Sequence, residues 1–75
     1  MSDFRFEIKE HIGVIAKNPS GWQKELNVVE WNGKEPKYDL REWDESHTHC
    51  SRGVTMTVDE VVALLGLLKK RAGEC

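Results

Sequence analysis

Apolar and polar residues alternate with period two at the start of the chain. Phe4, Phe6, Ile8, Ile12 and Val14 share one parity, broken only by Glu10, while Arg5, Glu7, Lys9 and His11 share the other. That period predicts a strand with one buried face. Lys17-Asn18-Pro19-Ser20-Gly21 has the composition of a loop. Trp22 to Trp31 is the second strand segment, with Leu26 and Val28 on one face and Val29 and Trp31 on the other. Asn32-Gly33 predicts a tight turn, lengthened by Lys34-Glu35-Pro36. Alternation resumes from Lys37 to Trp43, and a polar loop, Asp44 to Ser51, leads to a short strand at Arg52 to Met56 with Gly53 as a bulge candidate. Thr57-Val58-Asp59-Glu60 then fits a capping box, so the chain turns helical there. Lys69, Lys70 and Arg71 suit the negative end of the helix dipole, and Gly73 suits the stop. The order predicts an α+β fold: a four-stranded antiparallel curved meander followed by one C-terminal helix, all within a single domain, residues 1–75.

The helix is apolar beyond what one sheet covers. Val61, Leu64, Leu65 and Leu68 form the stripe that would rest on the sheet, yet Val58, Val62, Ala63 and Leu67 fill its remaining faces. A helix apolar all round must be buried all round. The expected cover is a second copy of the chain, helix against helix, with Val62, Gly66 and Leu67 in the dimer interface.

Placing Phe4, Phe6, Ile8, Leu26, Val28, Tyr38, Leu40, Val54 and Met56 against the helix assigns Arg5, Lys9, Val29, Trp31, Lys37, Arg41 and Trp43 to a free sheet face. Tryptophans among cations on an open sheet are costly for solubility alone and suit flat, anionic ligands. Bases stack on aromatic rings at about 1–3 kcal/mol each, and Arg and Lys take the phosphates. Residue types alone leave two readings open: a single-strand nucleic-acid binder, with single-stranded RNA or a peptide docked on the Trp-containing face as rival ligands, or one or both Trp filling the dimer interface or a second small core.

Composition narrows the classes. A chain of 75 residues has room for one core, and 39% hydrophobic with 32% charged residues excludes a disordered chain. The net charge of −2 excludes a generic polybasic nucleic-acid binder, so any such site is local. The longest apolar run, Val61 to Leu68, is far short of a membrane span, and charges at Asp3, Arg5, Glu7 and Lys9 interrupt any signal peptide. Two cysteines, Cys50 and Cys75, build no disulfide framework. A reduced, cytoplasmic protein is expected, free or at the nucleoid, with no membrane partner. His47-Thr48-His49-Cys50 lacks the second ligand pair of a structural zinc site, and Asp39 and Glu42 alternate to opposite faces, which disfavours a carboxylate dyad. No metal, cofactor, catalytic residue or enzymatic activity is expected.

Tyr38-Asp39-Leu40-Arg41-Glu42-Trp43, a short loop, Arg52-Gly53-Val54-Thr55-Met56-Thr57 and an apolar helix resemble the transcriptional positive cofactor four family of single-stranded-DNA-binding coactivators. With Gly21-Trp22, Lys24-Glu25-Leu26-Asn27, Trp31-Asn32-Gly33 and Glu35-Pro36-Lys37 added, the pattern is closest to the short bacterial YdbC-type proteins and spans about Phe4 to Lys70. The resemblance implies four antiparallel strands and a helix, a dimer through the helices, and concave sheets that bind single strands. It also implies a link to the transcription machinery or to DNA maintenance. Trp31 matches the stacking aromatic before the central turn, Arg41 and Arg52 match cations that contact the strand, and Trp43 is the nearest counterpart of a second aromatic. Lys9, Lys24 and Lys37 complete the candidate nucleic-acid-binding set. The family's basic residue two before the central aromatic is here Val29, and Asp44 to Ser51 is less basic than the family's loop.

Overall fold

The computed structural model describes residues 5–73, so Phe4 and Cys75 lie outside the described residues. Strands β1 (Phe6–Lys17), β2 (Gln23–Trp31), β3 (Lys37–Trp43) and β4 (Val54–Met56) precede helix α1 (Val58–Ala72). All neighbouring strands are antiparallel and lie in sequence order, as expected of a meander. The first strand runs three residues beyond Val14 and takes in Lys17 from the expected loop, whereas β4 omits Arg52 and Gly53.

The sheet is strongly curled. Trp31 lies eight residues along β2 from Gln23, whose register partner is Trp43. On a flat sheet those backbone positions would stand about 27 Å apart at roughly 3.4 Å per residue. The two indoles nevertheless stack with centroids 6.3 Å apart and planes 11° from parallel. Three register shifts in β1, at Ile8/Glu10, His11/Gly13 and Val14/Ala16, supply local bends that wrap this edge strand around the concave side.

Register overturns part of the face assignment. Residues paired across strands share a face, and Phe6 pairs with Trp31 while Ile8 pairs with Val29. Phe6 packs on Trp31 at 5.6 Å and on Trp43 at 5.0 Å between centroids. Phe6 and Ile8 thus belong to the Trp31 face, not to the helix face. Period two orders the residues within a strand but leaves open which parity of the next strand lies beside them, and each bulge shifts the phase again.

The face expected to be free is the core. Val29 and Trp43 are fully buried, as are Asn27 and Asp39, and Glu25 is 2% exposed. The opposite face is the poorly covered one: Leu26, Val28, Tyr38 and Leu40 are half-buried and Val54 is exposed. Helix α1 begins with the expected capping box. Thr57 Oγ1 accepts from the Glu60 N–H at 3.2 Å, and Glu60 Oε1 accepts from the Thr57 N–H at 2.8 Å. Of the strands the helix approaches only β3 and β4, and none of its residues is buried. Of the stripe expected on the sheet, only Val61 is half-buried, while Leu64, Leu65 and Leu68 are exposed.

Candidate nucleic-acid interface

The turn between β2 and β3 sets the first element of the site. Asn32 and Gly33 both take positive φ, 54° and 75°, and the Lys34 N–H donates to the Trp31 carbonyl at 2.9 Å. Such a left-handed pair matches the twist of a hairpin, which is why Asn-Gly is favoured there. The turn is pinned to the chain before β1: the Asn32 N–H donates to the Arg5 carbonyl, and the Arg5 N–H to Asn32 Oδ1, each at 2.7 Å. Trp31 is therefore fixed at the mouth of the turn.

Asp39, fully buried, holds the next two groups. Trp31 Nε1 donates to Asp39 Oδ2 at 3.1 Å, and Arg41 Nε donates to Asp39 Oδ1 at 2.6 Å. The guanidinium carbon lies 4.4 Å from the centroid of the Trp31 ring. One carboxylate thus locks an indole and a guanidinium together as a stacked pair, and neutralises the cation at its Nε while its outer nitrogens remain donors. Arg41 Nη1 donates to the Ser51 carbonyl oxygen at 3.4 Å. Gly53 makes room for this arrangement, because a Cβ there would fall well inside contact distance of Arg41 Cβ and the Leu40 carbonyl oxygen.

The pair opens onto a pocket of about 320 Å³ lined by Trp31, Lys34, Glu35, Lys37, Arg41 and Thr55. Trp31, Arg41 and Lys37 of the expected set are thus brought together. Lys34, Glu35 and Thr55 complete the lining; strand alternation gives no signal for Lys34 and Glu35, which lie in the turn.

The other expected contacts are placed elsewhere. Trp43 is fully buried beneath Phe6, Trp31 and His47, so it is a core ring in this conformation, not an open stacking platform. Its Nε1 is buried without a hydrogen-bond partner among the described residues. Lys9 turns to Glu30 and Glu7, 3.3 and 3.4 Å away, and Glu7 pairs with Glu30 on the face opposite Trp31. Those carboxylates, Glu30 first, raise the Lys9 pKa above its ordinary 10.5. Lys24 and Arg52 line a separate groove of about 310 Å³, which shares only Arg41 with the Trp31 pocket.

A second polar group on the concave face escaped the sequence reading. Glu25 is flanked by His47 Nε2, 2.9 Å from Oε2, and by Asn27 Nδ2, which donates to Oε1 at 3.1 Å. His11 Nδ1 lies 2.7 Å from Asn27 Oδ1. Only the β1 bulges bring His11 opposite Asn27, so no spacing rule signals the group. The loop after β3 is organised by Asp44, which accepts from the N–H groups of Thr48 and His49 at 2.9 and 3.2 Å and from His49 Nδ1 at 2.8 Å. Chiefly through the His49 side chain, the Asp44 carboxyl is lowered to about 2. His47 and His49 therefore bond to different carboxylates, away from the shared site their spacing had raised.

Residues 18–67 match the model of the family described as Transcriptional Coactivator p15 (PC4). An uncharacterized protein of Treponema pallidum (strain Nichols) is 39% identical over 66 residues, covering 88% of this chain and 78% of that one. The match takes in the Asn-Gly turn, the Asp39–Arg41 run and Gly53, the segments that build the Trp31 pocket. On the family match over residues 18–67, the chain belongs to the transcriptional coactivator p15 (PC4) family.

Proposed function

We propose that this chain is a homodimeric single-stranded-DNA-binding protein that acts in transcription or DNA maintenance. Its family is nucleic-acid-binding and not enzymatic. The observation that carries the reading is the Asp39-locked pair of Trp31 and Arg41 at a pocket that also collects Lys34 and Lys37. A base packs against the Trp31–Arg41 stack, and the three cations take neighbouring phosphates. The lysine ammoniums and the Arg41 outer nitrogens supply the charge that the chain's overall −2 lacks.

Dimerisation rests on α1. Val58, Val62, Leu67 and Leu68 are each about 60% exposed, and the sheet face behind them is only half-covered. At about 25 cal/mol per Å², leaving such a surface in water forfeits several kcal/mol that helix-to-helix packing recovers. Titration with oligo-dT tests both parts together, following indole fluorescence while sedimentation reports the mass. A quenched dimer is expected. Equal or tighter binding of duplex DNA, or a folded monomer at micromolar concentration, would remove the corresponding half of the proposal. An oligo-rU arm separates RNA from DNA through the 2′-hydroxyl.

A further inference from the structure

We infer that the concave face carries a second, base-reading subsite, built by His11 and His47 over Glu25 and Asn27, which favours bases that present an amino group. The inference rests on the single-strand reading above and adds a preference to it.

The subsite is a pocket of about 330 Å³ lined by Ile8, His11, Val14, Gln23, Glu25 and His47. It contains no Lys or Arg and holds a carboxylate, so it repels a phosphate. The apolar walls and the polar floor suit a base instead.

The polarity of the two imidazoles is fixed from beneath. Glu25 is a carboxylate that accepts from both sides, so His47 Nε2 must carry the proton it shares with Oε1 and Oε2, at 3.0 and 2.9 Å. Asn27 spends its amide N–H on Glu25 and turns Oδ1 to His11, so His11 Nδ1 must donate. A neutral imidazole with one nitrogen protonated has the other as an acceptor. His47 Nδ1 and His11 Nε2 are thus both acceptors. The rings that carry them are reachable, with side chains 41% and 52% exposed, while Glu25 and Asn27 are buried. Buried second-layer groups that set a tautomer are a familiar way of fixing what a histidine can bind. His47 itself is held at φ 59° and packs on Trp43 at 5.7 Å, which ties the subsite to the aromatic core.

Both histidines present acceptors, beside a Gln23 amide that can donate or accept, so the pair complements cytosine N4, adenine N6 and the guanine amino edge. It opposes uracil and thymine, whose single N–H is flanked by two carbonyl oxygens. Cytosine against uracil is the cleanest contrast, because the two rings differ only by an amino group for a carbonyl and stack alike.

The test compares oligo-dC with oligo-dU of equal length at pH 8, using indole fluorescence on the full chain. Wild type should bind oligo-dC tighter by about tenfold, within the range one good side-chain–base pair provides. His47→Phe keeps a ring on Trp43 but removes the acceptor, and should bring the dC:dU ratio close to one while oligo-dU still quenches. Glu25→Gln, which loosens the tautomer, should lower the ratio as well. His49→Phe, bonded to Asp44 outside the pocket, should leave it at the wild-type value. Equal wild-type affinities for the two oligomers, or an unchanged ratio in His47→Phe, would overturn the subsite alone. No quenching by either oligomer would instead sink the single-strand reading on which it stands.

Discussion

Replacing Asp39 by Asn changes one oxygen to an amide and nothing in volume, yet it breaks a two-donor arrangement. Asp39 accepts from Trp31 Nε1 and from Arg41 Nε, one on each oxygen. An amide has one acceptor oxygen, and its nitrogen would face a second N–H donor. Removing one partner of a buried ion pair costs about 3–5 kcal/mol when the other stays buried. Arg41 is 14% exposed and has the Ser51 carbonyl nearby, so part of that loss is relieved, leaving about 2–3 kcal/mol. For a domain of this size the melting temperature should fall by about 10–20 °C at fixed protein concentration. Oligo-dT affinity should also fall by at least about fivefold, because the indole and the guanidinium lose their common anchor. The double variant Asp39→Asn/Arg41→Leu separates the two effects. With both charges gone, stability should recover part of the way toward wild type, since removing both partners is milder than orphaning one, although the buried amide nitrogen still lacks an acceptor. Binding should not return. Thermal denaturation by circular dichroism and an oligo-dT titration read the two quantities. An Asp39→Asn protein that melts and binds like wild type would refute the shared anchor, as would a double variant no more stable than the single one.

Leu67→Glu places a charge on the apolar belt of α1, and sedimentation should show monomer or aggregate in place of the proposed dimer. Lys37→Ala and Arg41→Ala should each flatten the log K against log salt plot for oligo-dT by close to 0.7, whereas Lys9→Ala should leave the slope unchanged, because Lys9 faces Glu30 and Glu7 away from the pocket. Gly53→Ala should weaken oligo-dT binding and lower the melting temperature together, since its Cβ collides with Arg41 Cβ and the Leu40 carbonyl oxygen. Asp44 is depressed from 3.8 to about 2 in the folded chain, so its contribution is complete above about pH 4 and is lost as the pH falls toward 2; a carboxyl NMR titration should move back toward 3.8 in His49→Ala.

The meander and the helix were legible because each rests on a local signal. Period two marks the strands, Asn32-Gly33 marks the turn, and Thr57 with Glu60 marks the helix start, where both capping bonds are present. Trp31, Lys37 and Arg41 were legible as a group, since parity within β2 and β3 survives in their unbroken register. The relation of β1 to its neighbours was not. Its phase relative to β2 is set by pairing, and three bulges reset it along twelve residues, so Phe6 and Ile8 changed sides and Lys9 left the site. Trp43 was misplaced for a different reason. Its parity is the one expected, but that face curls inward, and curvature leaves no mark in a count of apolar positions. Lys34 was hidden because a turn residue has no parity to argue from.

The curl explains why one face serves as both core and site. A single sheet of this length can bury side chains on the side where α1 lies or on the side toward which it bends, and α1 buries none of its own residues. The concave side therefore supplies the interior, and part of that interior is polar: Glu25, Asn27 and Asp39 are buried there together with Val29 and Trp43. Buried polar groups are tolerable only when each is bonded, and these three are bonded to Trp31, Arg41, His11 and His47, side chains that reach toward the surface. The interior thus fixes the orientation of the groups that line both concave pockets. A ligand that engages those groups finds them already ordered and does not have to supply the entropy of ordering them. The same coupling makes the face intolerant of change, because loss of an anchor such as Asp39 removes stability and pre-organisation in one step. The convex side has the opposite character. Its half-covered Leu26, Val28, Tyr38 and Leu40 and the exposed leucines of α1 form a largely apolar surface, with the Lys9, Glu7 and Glu30 ion pairs on the same face, so it can serve assembly without disturbing the pockets.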